Sequence, residues 1–237
     1  MHGTLPHSAP AGSVAAFYAT PRGKVAAEVL RDRMRAFWPD LHGMSVLGLG
    51  FGSPYLSLWQ ATAYRCIDAI AAPFGPASPG HACLVAEDHL PFPDLSFDRI
   101  LLVHGLEHAD DLRHLLREVW RVLKDDGRLL VTVPNRLGLW ANVEATPFGH
   151  GTPYSPRQIA SVLASAMFRP ERRDTALFVP PFNMRLLLRS WPAWEQIGHA
   201  MAPEIAGVTL TEAVKDAYAA MPLAEGLRRQ VILPEAA

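Results

Sequence analysis

The residues of this chain best placed to do chemistry begin with three glycines spaced two apart. Gly48, Gly50 and Gly52 stand in Met44-Ser-Val-Leu-Gly-Leu-Gly-Phe-Gly-Ser-Pro, at the end of an apolar run. A strand that ends in such a turn and leads into a helix leaves free N–H groups pointing at a ligand. Glycines there let the ligand approach the backbone. Ser53 suits the cap of the following helix, and Pro54 suits its first turn. The spacing excludes two common cradles. A dinucleotide fingerprint needs its third glycine where Ser53 stands, which also argues against nicotinamide chemistry. A P-loop needs a Gly-Lys-Ser/Thr that is absent.

Titratable side chains follow at intervals. Asp68 lies twenty residues after Gly48, the distance at which a strand-end carboxylate accepts hydrogen bonds from ribose hydroxyls. Glu87 and Asp88 follow a third apolar run. His104-Gly-Leu-Glu-His108 follows a fourth. That last segment formally matches an inverted zinc-protease motif, which needs both histidines on one helical face. Gly105 and the preceding strand break such a helix, so no metal site is expected. His150, Tyr154, Asn135 and Arg136 are candidates to line an acceptor pocket, with Trp140 and Phe148 as walls. Trp191 and Trp194 fall in a lid-like segment. Arg172-Arg173 is too short a basic run for nucleic acid.

These residues need elements to hold them. Helical periodicity covers Val14 to Trp38 and stops at Pro39. Strands are read near 44–47, 63–69, 81–86, 100–103 and 128–133, with helices near 54–61 and 112–123. Prolines and glycines in 71–80 shorten or remove the second helix. Asp110 or Asp111 caps the helix at 112, and Asp126-Gly127 ends it. Alternation of β and α from 44 to 133 is the signature of a doubly wound, mostly parallel sheet. Beyond it come a long loop over 136–153, a helix from Ser155-Pro156 to Met167, a strand at 174–179, a helical patch at 184–200 and a final strand at 207–215. A loop of that length without a period is usually functional. The chain reads as one domain over 1–237: a loose lead-in at 1–13, a helical segment at 14–42, a ligand-binding core at 44–135 and an acceptor-side region at 136–221, with a peripheral tail.

Composition narrows the function classes. The 237 residues are 49% hydrophobic and carry a formal net charge of −1, which gives no basic field for nucleic acid. Cys66 and Cys83 are the only cysteines, too few for a disulfide framework or a cysteine zinc cluster. No signal peptide is read, and no apolar stretch approaches membrane-spanning length. The expectation is a cytoplasmic chain with no membrane partner.

Four segments in order resemble the class I S-adenosylmethionine-dependent methyltransferases, closest to the group that includes the ubiquinone/menaquinone C-methyltransferases. They are the glycine turn at 48–52, Leu-Pro-Phe-Pro-Asp…Ser-Phe-Asp at 90–98, Leu-Glu-His at 106–108, and Leu-Arg-Glu-Val-Trp-Arg-Val-Leu-Lys-Asp-Asp-Gly-Arg-Leu-Leu at 116–130. The resemblance implies an α/β fold: a seven-stranded Rossmann-like sheet, mostly parallel, with an antiparallel final strand. It implies S-adenosyl-L-methionine as cofactor and methyl transfer to a small-molecule acceptor. Gly48, Gly50 and Gly52 would pack against the methionine part, Asp68 would take the ribose, and Glu87 or Asp88 the adenine. His104 and Gly105 would face the sulfonium, with His104 or His150 as base. Two positions depart from the family pattern. Leu47 runs into Gly48 without the usual acid, and Ala86 stands where an acid follows the third strand. An alternative consistent with those departures is a non-catalytic partner subunit of the same fold.

Overall fold

The computed structural model describes residues 12–71, 82–86, 89–182 and 184–216. Glu87, Asp88, most of the 71–80 segment and the tail lie outside these residues, as does most of the lead-in.

The N-terminal helical pattern resolves into two helices, α1 (Gly12–Ala19) and α2 (Pro21–Phe37). The break is local chemistry. The Thr20 hydroxyl accepts from Gly23 N at 3.0 Å, and Pro21 occupies the first turn of α2. A β-strand follows, β1 (Ser45–Gly50), then a single helical turn α3 (Ser53–Leu56). The predicted eight-residue helix is therefore half that length. The residue capping it is Gly52, and Ser53 turns its hydroxyl elsewhere.

The next strands are β2 (Arg65–Ala71), β3 (Ala82–Val85) and β4 (Phe97–Val103). Helix α4 (Leu112–Val122) starts on Asp111, whose carboxylate accepts from the Arg113 and His114 amides at 3.0 Å each. β5 (Leu123–Pro134) begins directly at its end, five residues before the expected Arg128. α5 (Pro156–Ser165) carries a reciprocal cap between Ser155 and Gln158. β6 (Phe168–Ala176) starts six residues earlier than expected and contains Pro170, which an edge strand with a register shift tolerates. α6 (Arg185–Arg189), α7 (Trp191–Met201) and β7 (Val208–Lys215) complete the chain.

The strand order is β3-β2-β1-β4-β5-β7-β6. β1 to β5 run parallel, and β7 is antiparallel to both neighbours, as the resemblance implied. Strand order reverses between β1 and β4. α1, α2 and α3 cover one face over Val46, Leu101, Val103 and Leu130. α4 and α5 cover the other over Leu47, Ile100, Leu102 and Leu129. Consecutive residues of one strand thus feed opposite cores, which is why β1 and β4 read as unbroken apolar runs.

Candidate active site

Ligands in open α/β sheets bind beyond the carboxyl ends of the strands where the order reverses. Here that place lies between the ends of β1 and β4. Gly50 has φ +81°, and Phe51 N donates to Val103 O at 2.8 Å. A Cβ on Gly50 would lie 2.3 Å from Val103 O and 2.9 Å from Gly105 N. The two strand ends therefore touch through backbone alone. Beside them runs a narrow apolar cleft lined by Leu49, Ala69, Val85, Leu90, Leu102 and Leu115, floored by Gly50 and Gly105.

Asp68 reaches this region from β2, mid-strand and in register with Gly48, where its end had been expected. It is 5% exposed. Its Oδ2 accepts from the Ser53 hydroxyl, which explains why Ser53 does not cap α3. Its Oδ1 is buried, has no hydrogen-bond partner, and lies 2.8 Å from where a Cβ on Gly52 would sit. Burial pushes this carboxyl above its ordinary range, and the Ser53 hydroxyl and Gly52 amide pull it part of the way back. An unpartnered buried acceptor beside a glycine turn fits a ligand hydroxyl, and so fits the ribose of S-adenosylmethionine.

At the end of β4 the chain turns sharply. His104 has φ +57° and is 1% exposed. Its Nδ1 lies 3.0 Å from Glu107 Oε1, and its Nε2 lies 2.8 Å from the Tyr18 hydroxyl. Tyr55 OH donates to Tyr18 OH at 2.8 Å. A carboxylate only accepts, so a neutral His104 carries its proton on Nδ1 and accepts a hydrogen bond from the Tyr18 hydroxyl at Nε2. Burial holds both phenols well above their ordinary range, so the chain Tyr55–Tyr18–His104–Glu107 stays hydrogen-bonded and neutral at the tyrosines. Phe148 lies 4.9 Å from the His104 ring, and Trp140 closes behind it, donating from Nε1 to Val179 O at 2.8 Å. The expected pocket walls thus enclose His104.

Sequence reasoning missed Tyr18, Tyr55 and Glu107. Tyr18 is 86 residues from His104, beyond the reach of any periodicity. Glu107 had a local signal, its i,i+3 spacing to His104. Its Oε2 is also buried and unpartnered. The segment from His104 to His108 is not helical, so its histidines do not share a helical face.

The other candidates divide. His150 is half-buried after the short turn Pro147–Gly149, and, two residues on, Thr152 N donates to Glu107 O at 3.0 Å. Tyr154 is half-buried, its phenol raised by burial and by the Glu107 charge. Asn135 is structural, its amide donating to Glu204 O and Ala206 O at 2.7 and 2.8 Å. Arg136 points to solvent. Trp191 is partly buried against the core cluster that α1 and α2 also line, and Trp194 is exposed.

His108 gives a pH signature. Burial lowers it below its ordinary 6.5, His104 and His150 push the same way, and Glu107 opposes. The unfolded chain then takes up its proton first as pH falls, so stability is full above 6.5 and declines as pH drops through that value. His108→Asn should flatten the fall in melting temperature between about pH 7.5 and 5.5, read by calorimetry at several pH values.

Residues 47–131 match the family model described as a methyltransferase domain. The chain is 30% identical over 140 residues to the uncharacterized protein YafS of Escherichia coli, covering 58% of this chain and 55% of that one. It is 52% identical over 42 residues to the ubiquinone/menaquinone biosynthesis C-methyltransferase UbiE of Pseudoalteromonas translucida, covering 18% of this chain and 17% of that one. The aligned stretches thus span about half of the first relative and under a fifth of the second. An S-adenosylmethionine-dependent methyltransferase from Thermotoga maritima superposes with a TM-score of 0.59 at 16% identity, over 85% of this chain and 93% of that one.

Proposed function

We propose, on the premise that this chain is a class I S-adenosylmethionine-dependent methyltransferase by fold and family match, that it methylates a small-molecule acceptor by in-line displacement. One observation carries the reading: the unpartnered Asp68 Oδ1 against Gly52 of the glycine turn. When bound, the cofactor supplies an activated methyl group, so the protein's share is binding, alignment and exclusion of water.

The residues divide that work. Asp68 accepts the ribose hydroxyls. Gly48, Gly50 and Gly52 are assigned to the methionine portion, and Glu87 and Asp88 to the amino group of the adenine. Leu47, directly before Gly48, brings no carboxylate, and Glu107, whose Oε2 is unpartnered, is the acid assigned to the cofactor's ammonium group. His104 positions Tyr18 and Glu107 through its two ring nitrogens. His150, half-buried and near the His104–His108 turn, is the base assigned to an oxygen or nitrogen nucleophile.

Titration calorimetry tests the reading. S-adenosylmethionine should bind with Kd in the range of about 1 μM to 1 mM, as substrates and cofactors commonly do. No binding heat at millimolar cofactor would sink it. A second reading, a methyltransferase fold serving as a partner subunit, is favoured by one feature: the enclosure of His104 by Tyr18 and Phe148. The same titration separates the two, since such a subunit needs no cofactor.

A further inference from the structure

A second cleft, outside the candidate active site, lies between α4 and α5. Its volume is about 920 Å³, within the range of about 300–1,000 Å³ usual for small-molecule sites. Leu112, Leu116 and Trp120 form its α4 side, and Val162, Ala166 and Met167 its α5 side. α4 serves both clefts, since Leu115 lines the one beside Gly50 and Gly105.

Arg113, Arg117 and Arg121 also line the second cleft, at i, i+4 and i+8 of α4, and Glu118 is the one carboxylate among the described residues that line it. Helix physics opposes such a row. Like charges four apart repel, and Arg113 stands in the first turn, where the helix dipole is already positive. Arg121 is neutralised, with Nη2 2.7 Å from Glu118 and Nη1 2.8 Å from Asp94. Arg113 and Arg117 are exposed, and neither guanidinium has an ion-pair or hydrogen-bond partner among the described residues. Neighbouring carboxylates are committed elsewhere: Asp111 to the Arg113 and His114 amides and the His114 ring, and Asp125 to Lys215. The indole Nε1 of Trp120, three residues after Arg117, is buried and has no acceptor either. Two turns of α4 thus present two free cations and a free N–H beside an apolar trough.

We propose that this cleft binds a long-chain carboxylate, with the hydrocarbon tail between α4 and α5 and the head group between Arg113 and Arg117. The walls account for the tail, because burying hydrocarbon is favourable in proportion to its area. The arginines account for the head. A carboxylate takes charge-assisted hydrogen bonds from both guanidinium forks and removes the repulsion between them. Residues three apart on a helix are surface neighbours, so a head group at Arg117 also lies beside the unpartnered Trp120 N–H. A neutral chain of the same length would leave both arginines uncompensated.

Calorimetric titration of the full chain with laurate, without S-adenosylmethionine and below the micelle concentration of laurate, tests this independently of methyl transfer. Laurate should bind. Acetate, which lacks the tail, and dodecanol, which lacks the charge, should each bind at least about tenfold more weakly. Arg113→Gln/Arg117→Gln alters exposed positions only, so circular dichroism should be unchanged while laurate affinity falls roughly ten- to hundredfold. Ser165→Trp, at another exposed position of the cleft, should fill it and block the tail. Four results overturn the proposal: no laurate binding, equal affinity in the double variant, displacement of laurate by S-adenosylmethionine, or a wild-type dimer that Ser165→Trp dissolves and laurate does not.

Discussion

Asp68→Asn should lower the affinity for S-adenosylmethionine by roughly ten- to hundredfold and leave the folded state as stable as the wild type, or more so. The two effects have separate causes. A hydrogen bond to a charged acceptor contributes about 1.5–3 kcal/mol, and Asp68 Oδ1 is a buried carboxylate oxygen with no partner to lose except the ligand. Folding, by contrast, pays for burying that charge with only the Ser53 hydroxyl and the Gly52 amide to offset it. Asparagine keeps an acceptor for Ser53 and removes the charge. Calorimetric titration reads the first effect and thermal unfolding near pH 7.5 the second. The pH dependence has a definite sign. The folded-state pKa is raised above the ordinary 3.8, so between 3.8 and that higher value the folded protein holds a proton that the unfolded chain has released. Wild-type stability therefore gains on the variant as pH falls through this window. A carboxylate that served only to hold the turn would give the opposite pattern, with lost stability and unchanged affinity.

The parts of this architecture that were legible in the sequence are those written in local chemistry. Asp110 or Asp111 before an apolar i,i+3,i+4 pattern marked the start of α4, and Ser155-Pro156 marked the start of α5. The apolar run of β4 and the glycines ending β1 located the two strand ends between which the sheet order reverses. What escaped was decided by contacts distant in sequence. Ser53 looked like a cap, yet its hydroxyl is drawn to a carboxylate fifteen residues away. The strand was read only from residue 174, yet β6 starts at Phe168 and runs through Pro170, because an edge strand is paired on one side only and a missing donor costs little there. Thr20-Pro21 is a helix start that continuous apolar spacing on both sides concealed. His104 read as an open base at a strand end. It is enclosed because α1, far upstream, lays Tyr18 across it and Phe148 closes from the other side.

Gly50 offers the sharpest contrast in the chain, because Gly43 supplies its control. Both have positive φ, +81° and +73°. A Cβ on Gly43 would meet nothing within 4 Å, whereas one on Gly50 would sit 2.3 Å from Val103 O. Gly43→Ala should cost only the left-handed backbone penalty, about 1–2 kcal/mol. Gly50→Ala bears that penalty plus a steric one of about 1–3 kcal/mol, since a backbone carbonyl in a central strand cannot swing aside as a side-chain end can. The relief available is to part β1 from β4. That stretches the Phe51 N to Val103 O bond and moves Gly105, so the damage falls on the glycine turn proposed to hold the cofactor. Chemical denaturation should therefore rank the variants wild type, Gly43→Ala, Gly50→Ala. Under conditions where both remain folded, Gly43→Ala should titrate with S-adenosylmethionine like the wild type, and Gly50→Ala should show no saturable binding. Equal affinities in the two variants would mean that the contact between the ends of β1 and β4 does not shape the cofactor site.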